Sequence, residues 1–257
     1  MEFAIETRGL ARRFGDFVAV EGLDLEVPSG TFFGFLAPNG AGKSTTIKML
    51  TGLLPRSAGD MRLLGLDPAT DALAIKRSIG VIPEDPILYD RLSGAEYLTF
   101  VGRMYGVDEK DLVRRREELL ELMGLQEHRH KLVVDYSHGM QKKLALAAAL
   151  IHGPRLLFLD EPFEGIDAVS SRMIKNLLAR LVEGGMTIFL TSHILEVVEK
   201  LCTHVAIIER GRLVSQGALD DLRRGSDGSA EARSLEEIFL GLVEGQETTA
   251  GELSWLG

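Results

Sequence analysis

The sequence predicts an α/β fold: a mixed parallel sheet, a small antiparallel β region ahead of it, and a group of helices inserted into it. Three observations carry this reading. Five compact apolar runs, at 31–36, 79–82, 156–159, 186–190 and 205–208, are separated by helical patterns, as the buried strands of a parallel sheet are. Ahead of them, residues 3–27 hold short β-prone runs broken by Gly15, Gly22 and then Pro28-Ser29-Gly30, which reads as antiparallel strands joined by turns. Between residues 93 and 151 the strand signal disappears, and helical spacing takes over at 95–105, 109–123 and 140–151.

Composition bounds what such a fold can do. At roughly 100–200 residues per domain, 257 residues allow one large domain or two small ones. Acidic residues outnumber basic ones 38 to 29, a net charge of −9, which argues against wholesale binding to nucleic acid or anionic lipid. Cys202 is the single cysteine, so no internal disulfide can form and a reducing compartment is expected. The first fifteen residues intersperse Glu2, Glu6, Arg8, Arg12 and Arg13 among apolar ones, leaving no signal-peptide core. The most apolar stretch, 144–151, falls far short of the ~18–20 residues of a membrane helix. If the chain works at a membrane, another chain must do the spanning.

The run Leu36-Ala37-Pro38-Asn39-Gly40-Ala41-Gly42-Lys43-Ser44-Thr45-Thr46 follows a predicted strand and opens a helical pattern, the context of a phosphate-binding P-loop. Bare backbone at Gly40 and Gly42 lets N–H groups approach phosphate oxygens, and the helix N-terminus adds its positive dipole end. Lys43 is placed to reach β- and γ-phosphates, Ser44 to ligate Mg²⁺, and Thr45 and Thr46 to hold the α- and β-phosphates. Ala37 stands where the motif usually has its first glycine, so the loop should enter with φ negative there. These features make the core that of a P-loop NTPase.

A second site follows downstream. The apolar strand Leu156-Leu157-Phe158-Leu159 ends in Asp160 and Glu161. Asp160 at the tip suits Mg²⁺, through water and opposite Ser44, and Glu161 suits a water aimed at the γ-phosphate. Another apolar strand closes on Thr191-Ser192-His193. Because strand ends of one sheet converge on one crevice, His193 can contact the γ-phosphate or the attacking water.

Together these elements resemble the nucleotide-binding subunit of an ABC (ATP-binding cassette) transporter, in family order over about residues 2–217. The most specific match is Asp135-Tyr136-Ser137-His138-Gly139-Met140-Gln141, which is similar to the family's L-S-G-G-Q signature and stands at the start of an apolar helix. The resemblance implies that Ser137, His138, Gly139, Met140 and Gln141 face the ATP of a second cassette, so that two cassettes sandwich two ATP molecules. It further implies that Phe14 stacks on adenine and that Asp167, in Glu164-Gly165-Ile166-Asp167, crosses the dimer interface. His193 takes the place of the switch histidine. Glu84, after Ile79-Gly80-Val81-Ile82-Pro83, stands where the family has a glutamine that senses Mg²⁺. A carboxylate there can accept from a metal-bound water but cannot donate, and it adds charge beside Asp160 and Glu161.

What the resemblance implies about function is an ATPase that takes ATP and Mg²⁺, with catalysis by Lys43, Glu161 and His193. Its partners are a second cassette and a polytopic membrane permease, with no nucleic acid, and it sits peripherally on the cytoplasmic face of the plasma membrane through the permease. The cassette is expected at 1–217 with its helical subdomain at about 86–152. An extension at 218–244 carries a short amphipathic helix, with Ser234 and Glu237 at capping-box spacing, and a flexible tail occupies 245–257. The extension looks like that of single-cassette exporters of drugs, polysaccharides or lipids. Ile87, Leu88 and Tyr89 mark the junction where a cytoplasmic helix of the permease docks in the family. Arg114-Arg115-Arg116, beside Glu117 and Glu118, reads as a solvated mixed-charge face. An alternative is a soluble ABC-type ATPase acting on ribosomes or DNA, but such relatives carry two cassettes or a long coiled coil. A kinase or GTPase is disfavoured by the late position of the P-loop and the lack of an Asn-Lys-x-Asp motif.

Overall fold

A computed structural model describes residues 2–38, 40–224 and 233–243. Met1, Asn39, residues 225–232 and residues 244–257, which include the expected flexible tail, lie outside the described residues. In chain order the elements are β1 (Phe3–Phe14), β2 (Phe17–Leu23), β3 (Glu26–Pro28), β4 (Phe32–Leu36), α1 (Lys43–Leu50), β5 (Ala58–Leu63), α2 (Ala72–Ser78), β6 (Ile79–Ile82) and α3 (Gly94–Met104). Then come α4 (Glu109–Leu122), α5 (His138–Leu150), β7 (Leu156–Asp160), α6 (Ala168–Glu183), β8 (Thr187–Thr191), α7 (Leu195–Leu201), β9 (His204–Glu209), β10 (Arg212–Ala218), α8 (Leu219–Arg224) and α9 (Leu235–Val243).

The five apolar runs form the heart of a six-stranded sheet of order β10-β9-β4-β8-β7-β6, parallel throughout except for β10, which returns antiparallel to β9. Strands β4, β7 and β8 are buried at every residue, which is why they read as unbroken apolar runs. Their side chains still alternate between two cores. One face carries Leu36, Leu157, Leu159, Ile188 and Leu190 against α5, α6 and α7. The other carries Phe33, Phe35, Phe158 and Phe189 toward α1 and the antiparallel sheet. On that second face Phe189 is the hub, with ring centroids 5.8 Å from Phe33, 5.2 Å from Phe35 and 5.5 Å from Phe158. Aromatic clusters of this kind add about 0.5–1.5 kcal/mol per pair beyond their buried area.

The antiparallel sheet holds β1, β2 and β3, as the sequence suggests, and also β5, which the sequence reading does not single out. Its residues Ala58-Gly59-Asp60-Met61-Arg62-Leu63 are half exposed, with Asp60 and Arg62 interrupting the apolar positions. Strand β10 escapes for the same reason: it is a partly exposed edge, with Arg212, Ser215 and Gln216 among its residues.

The three helices of the insertion pack on one another around Leu98, Leu112, Leu120 and Leu144. Ser93 and Glu96 form a reciprocal capping box that starts α3. Of the three adjacent arginines, Arg114 pairs with Asp111 and Glu118, and Arg116 with Glu117, as a mixed-charge face should. Arg115 departs from that reading, because its Nη1 donates to the Ile151 carbonyl at 3.0 Å and so caps the end of α5. At the other end of the chain, the capping box of Ser234 and Glu237 is formed. It starts α9, which buries Leu235 and Ile238.

Beside Arg115, His152 stacks on Tyr105 with centroids 3.8 Å apart, and its Nε2 lies 3.0 Å from the Ile79 carbonyl. Its Nδ1 is buried without a partner. A carbonyl neighbour puts the proton on Nε2, and burial favours the neutral ring, so its pKa is lowered. The folded chain therefore binds this proton less readily than the unfolded one. The stability it contributes is complete above the unfolded value of about 6.5 and is lost as pH falls through that value and on to the lowered one. We expect thermal unfolding midpoints to drop between pH 7.5 and 5.5, and His152→Gln to flatten that dependence; equal slopes for the two proteins would refute the assignment.

Candidate functional site

Strand register brings the site together. Thr191 at the end of β8 pairs with Phe35 of β4 on one side and Asp160 of β7 on the other, while Leu159 of β7 pairs with Ile82 of β6. The segments leaving β4, β6, β7 and β8 at their carboxyl ends therefore emerge at one edge. There they enclose a cleft of about 520 Å³ lined by Gly40, Gly42, Lys43, Ser44, Thr45, Glu84, Asp160, Glu161 and His193, and also by Phe17, Ala19 and Glu164.

The P-loop is shaped by its backbone. Gly42 has φ +103°, and a Cβ there would sit 2.6 Å from the Ala19 carbonyl oxygen of β2, so no side chain fits. Ala37 keeps a negative φ, as expected from an alanine at that position. The Lys43 ammonium donates to the Ala37 carbonyl at 2.7 Å and the Pro38 carbonyl at 3.3 Å, curling over the loop it follows. Burial lowers its pKa, and the nearby carboxylates of Glu161, Asp160 and Glu84 pull it back up. Thr46 is fully buried and its hydroxyl donates to the Gly42 carbonyl at 2.9 Å; Ala41 is buried as well. Of the P-loop side chains, Lys43, Ser44 and Thr45 face the cleft.

Opposite stand two carboxylates of different build. Asp160 is buried and accepts from the Thr191 hydroxyl at 2.5 Å. Glu161 takes a left-handed backbone, φ +46°, which is uncommon for a residue with a side chain and typically costs of order 1–3 kcal/mol. That conformation is held by its own N–H, which donates to the Thr191 carbonyl and hydroxyl, both at 3.2 Å. Its carboxylate accepts from the His193 N–H at 3.3 Å and lies 3.0 Å from His193 Nδ1. Glu161 is 8% exposed at its side chain and His193 51%, so the pair runs from the floor of the cleft to its rim. Thr191 is thus the buried anchor of the Asp160 carboxylate and of the Glu161 backbone, a role the sequence reading leaves unassigned although it quotes the residue.

Glu84 completes the acidic wall. Desolvation, then repulsion from Asp160, Glu164, Asp85 and Glu161, raises its pKa, which is the crowding expected of a carboxylate at this position. Among the described residues no cluster of three or more His, Cys, Asp or Glu is arranged to hold a metal by itself. The fit is to a cation that takes one or two protein oxygens and completes its shell with phosphate and water, as Mg²⁺ does.

Other expected residues lie apart from this cleft. Phe14 is across the β1–β2 hairpin from Phe17, and it is Phe17 that joins the lining. Phe14 is 45% exposed, with the Arg12 guanidinium 4.4 Å above one ring face. Ser137 caps α5, accepting from Met140 N–H at 3.3 Å, and both Ser137 and His138 are exposed. Space is open within 4 Å of where a Cβ would stand on Gly139. Gln141 turns away, donating to the Val133 carbonyl at 3.4 Å. Asp167 caps α6 through Ser170 N–H at 2.9 Å, and hydrogen bonds from the Ser170 side chain and then its N–H lower the Asp167 pKa. Among the described residues, none of the 137–141 segment lines the cleft.

A phosphate cradle on a parallel sheet, faced by strand-end carboxylates, defines the P-loop NTPase class. A family model described as "ABC transporter" matches residues 20–164. The chain is 37% identical over 240 residues to the linearmycin resistance ATP-binding protein LnrL of Bacillus subtilis (strain 168), covering 92% of this chain and 77% of that one. It is 38% identical over 263 residues to the daunorubicin/doxorubicin resistance ATP-binding protein DrrA of Streptomyces peucetius, covering 98% and 80%. A solved ATP-binding subunit of an ABC transporter superposes with a TM-score of 0.87 at 30% identity, over 93% of this chain and 99% of that one. The chain belongs to the ABC transporter family and is one of its ATP-binding subunits, the ATP-hydrolysing part that powers transport through a separate membrane-spanning partner. No helix among the described residues is long and apolar enough to cross a membrane.

Removing the shared anchor should show first in stability. Thr191→Val leaves the buried Asp160 carboxylate without its donor and should cost about 1–3 kcal/mol, read as a lower denaturation midpoint at constant m. An unchanged midpoint would mean that Thr191 does not anchor the Asp160 carboxylate.

Proposed function

We propose that this subunit binds Mg²⁺-ATP in the cleft between the P-loop and Asp160-Glu161, hydrolyses it to ADP and phosphate, and does so with a second cassette closing over it. The observation that carries this reading is that Lys43, Ser44, Asp160, Glu161 and His193 share one cleft while the 137–141 helix start lies outside its lining, with Ser137 and His138 exposed. A helix N-terminus with a hydroxyl and a bare glycine is an anion site. Left without a phosphate of its own chain, it suits the phosphate held by another.

In this scheme the P-loop amides at Gly40–Thr45 and the Lys43 ammonium hold the β- and γ-phosphates, and Phe14 or its hairpin partner Phe17 stacks on the base. Ser44 and Asp160 would hold Mg²⁺, with Glu84 at the outer wall. The ion, when bound, would supply positive charge that offsets the negative charge on the phosphates. Glu161 orients a water for in-line attack and takes up its proton, while His193, hydrogen-bonded to that carboxylate, fixes its direction toward the γ-phosphate. Ser137, His138, Gly139 and Met140 of the second cassette close the far side, with Gln141 bracing the helix start from behind through the Val133 carbonyl and Asp167 at the seam. Asn39 belongs to the same loop by sequence.

We place the cassette at 1–217, its helical subdomain at about 86–152, and the extension at 218–244. Ile87, 96% exposed, and Leu88 line a groove shared with Val81, Tyr97 and Ala145, with the 60% exposed Tyr89 next to them in the chain, and this is where a permease helix would seat. Through that contact the subunit sits on the cytoplasmic face of the plasma membrane. Its relatives' names, linearmycin and daunorubicin/doxorubicin resistance, favour export of an antibiotic or drug-like compound.

Two variants separate binding from chemistry. Lys43→Ala should lose nucleotide, whereas Glu161→Gln should keep ATP, slow hydrolysis by about 10²–10⁴-fold, and pair with a second chain in excess Mg²⁺-ATP. Phosphate release and size-exclusion chromatography read both effects. A Glu161→Gln protein that stays monomeric with ATP bound would refute the sandwich.

A further inference from the structure

A buried lysine ties together two segments that the proposed chemistry assigns to different nucleotides. Lys142 follows the 137–141 segment on α5 and is 6% exposed. Its stem runs among Ile82, Leu146, Leu159 and Ile166, and its Nζ donates to the backbone carbonyl of Glu164 at 2.6 Å. Among the described residues no carboxylate lies within ion-pair distance of it. Burying an ammonium on one carbonyl is a costly way to fill an apolar gap, since a methionine of similar volume would avoid the desolvation penalty.

The tie is doubled. Gly165, at φ +68°, lies against the His138 ring so closely that a Cβ there would stand 3.0 Å from His138 Cδ2. Residues 164 and 165 are thus held by two side chains from the first turns of α5. The other side of Glu164 belongs to the nucleotide cleft: its side chain lines the wall with Glu84, Asp160 and Glu161, and its N–H donates to the Glu161 carbonyl at 3.3 Å. A continuous path of hydrogen bonds therefore runs from Lys142 through Glu164 to Glu161.

We infer that Lys142 is a positioning residue that makes the start of α5 and the 164–167 turn move as one piece, so that the state of one nucleotide site is felt at the other. When Ser137 and Gly139 engage the facing phosphate, α5 shifts, the Glu164 carbonyl follows the ammonium, and Glu161 in the chain's own cleft is adjusted. A charge-assisted bond in a low-dielectric setting is stiff enough to carry such a displacement. Linkage makes the effect reciprocal. The inference rests on the two-cassette reading above, and the test keeps the two apart.

The full-length chain would be prepared as parent, Lys142→Met and Lys142→Arg, with Glu161→Gln as a dimer control. Hydrolysis is followed against Mg²⁺-ATP concentration, alongside single-chain nucleotide affinity and thermal unfolding. With two sites the Hill coefficient is bounded at about 2; the parent should approach that and Lys142→Met should fall to about 1, with affinity and unfolding midpoint unchanged. Lys142→Arg keeps a charged donor and should restore cooperativity. A Lys142→Met protein as cooperative as a cooperative parent overturns the inference alone. Loss of cooperativity that tracks a lower midpoint and is not rescued by arginine also overturns it, in favour of a packing role. A non-cooperative parent together with a monomeric Glu161→Gln protein overturns the two-cassette reading and this inference with it.

Discussion

Everything at the cleft depends on the register of four parallel strands. Because Thr191 of β8 stands level with Phe35 on one side and Asp160 on the other, the P-loop leaving β4 and the carboxylates leaving β7 arrive at the same height. The strands can be held so only because they are buried on both faces, by the Phe189 cluster beneath and by α5, α6 and α7 above. A slip of one residue would exchange those faces and carry Phe158 and Phe189 into the wrong core. The same apolar runs that specify the fold therefore also fix the spacing of the site.

The cleft built on this register is electrostatically incomplete. Glu84, Asp160, Glu161 and Glu164 face it against the single ammonium of Lys43, so a nucleotide triphosphate would meet more like charge than opposite charge. The pKa of Glu84 is raised by desolvation first and then by that crowding. In the proposed scheme a divalent cation on Ser44 and Asp160 would offset two of those charges, and the helix start of a facing cassette would add its positive dipole end. The site is arranged so that no single part suffices. Strain at Glu161, left-handed and tethered to Thr191 and His193, belongs to the same arrangement: it sets the buried carboxylate at the floor of the cleft against His193.

Much of this was legible in the residues. The strands at 79–82 and 156–159 and the helical insertion announce themselves through apolar periodicity, and Gly40–Thr45 with Asp160-Glu161 through residue type and spacing. What the sequence hides follows from physics that periodicity does not encode. Strands β5 and β10 are half exposed and carry charges, so they lack the apolar pattern of the central strands. The place of Phe17 rather than Phe14 in the lining depends on which side of a hairpin faces the P-loop. Lys142 and Thr191 act through hydrogen bonds to residues twenty or more positions away, and no local motif marks a buried ammonium on a distant carbonyl. Arg115 likewise reads as one of three surface arginines until its reach to Ile151 is seen.

The central claim is that one chain's P-loop and the other chain's α5 start complete a single site, and mixing two disabled chains tests it most directly. Lys43→Ala removes the phosphate ligand but keeps the α5 start. Gly139→Asp, at a position with open space around its Cβ, keeps the P-loop but sets a carboxylate where the facing phosphate would lie. Each protein alone should be inactive, and the mixture should regain hydrolysis, because half of the sites in a mixed pair combine an intact P-loop with an intact facing helix. A mixture no more active than the sum of its parts, with both chains folded, would contradict the account.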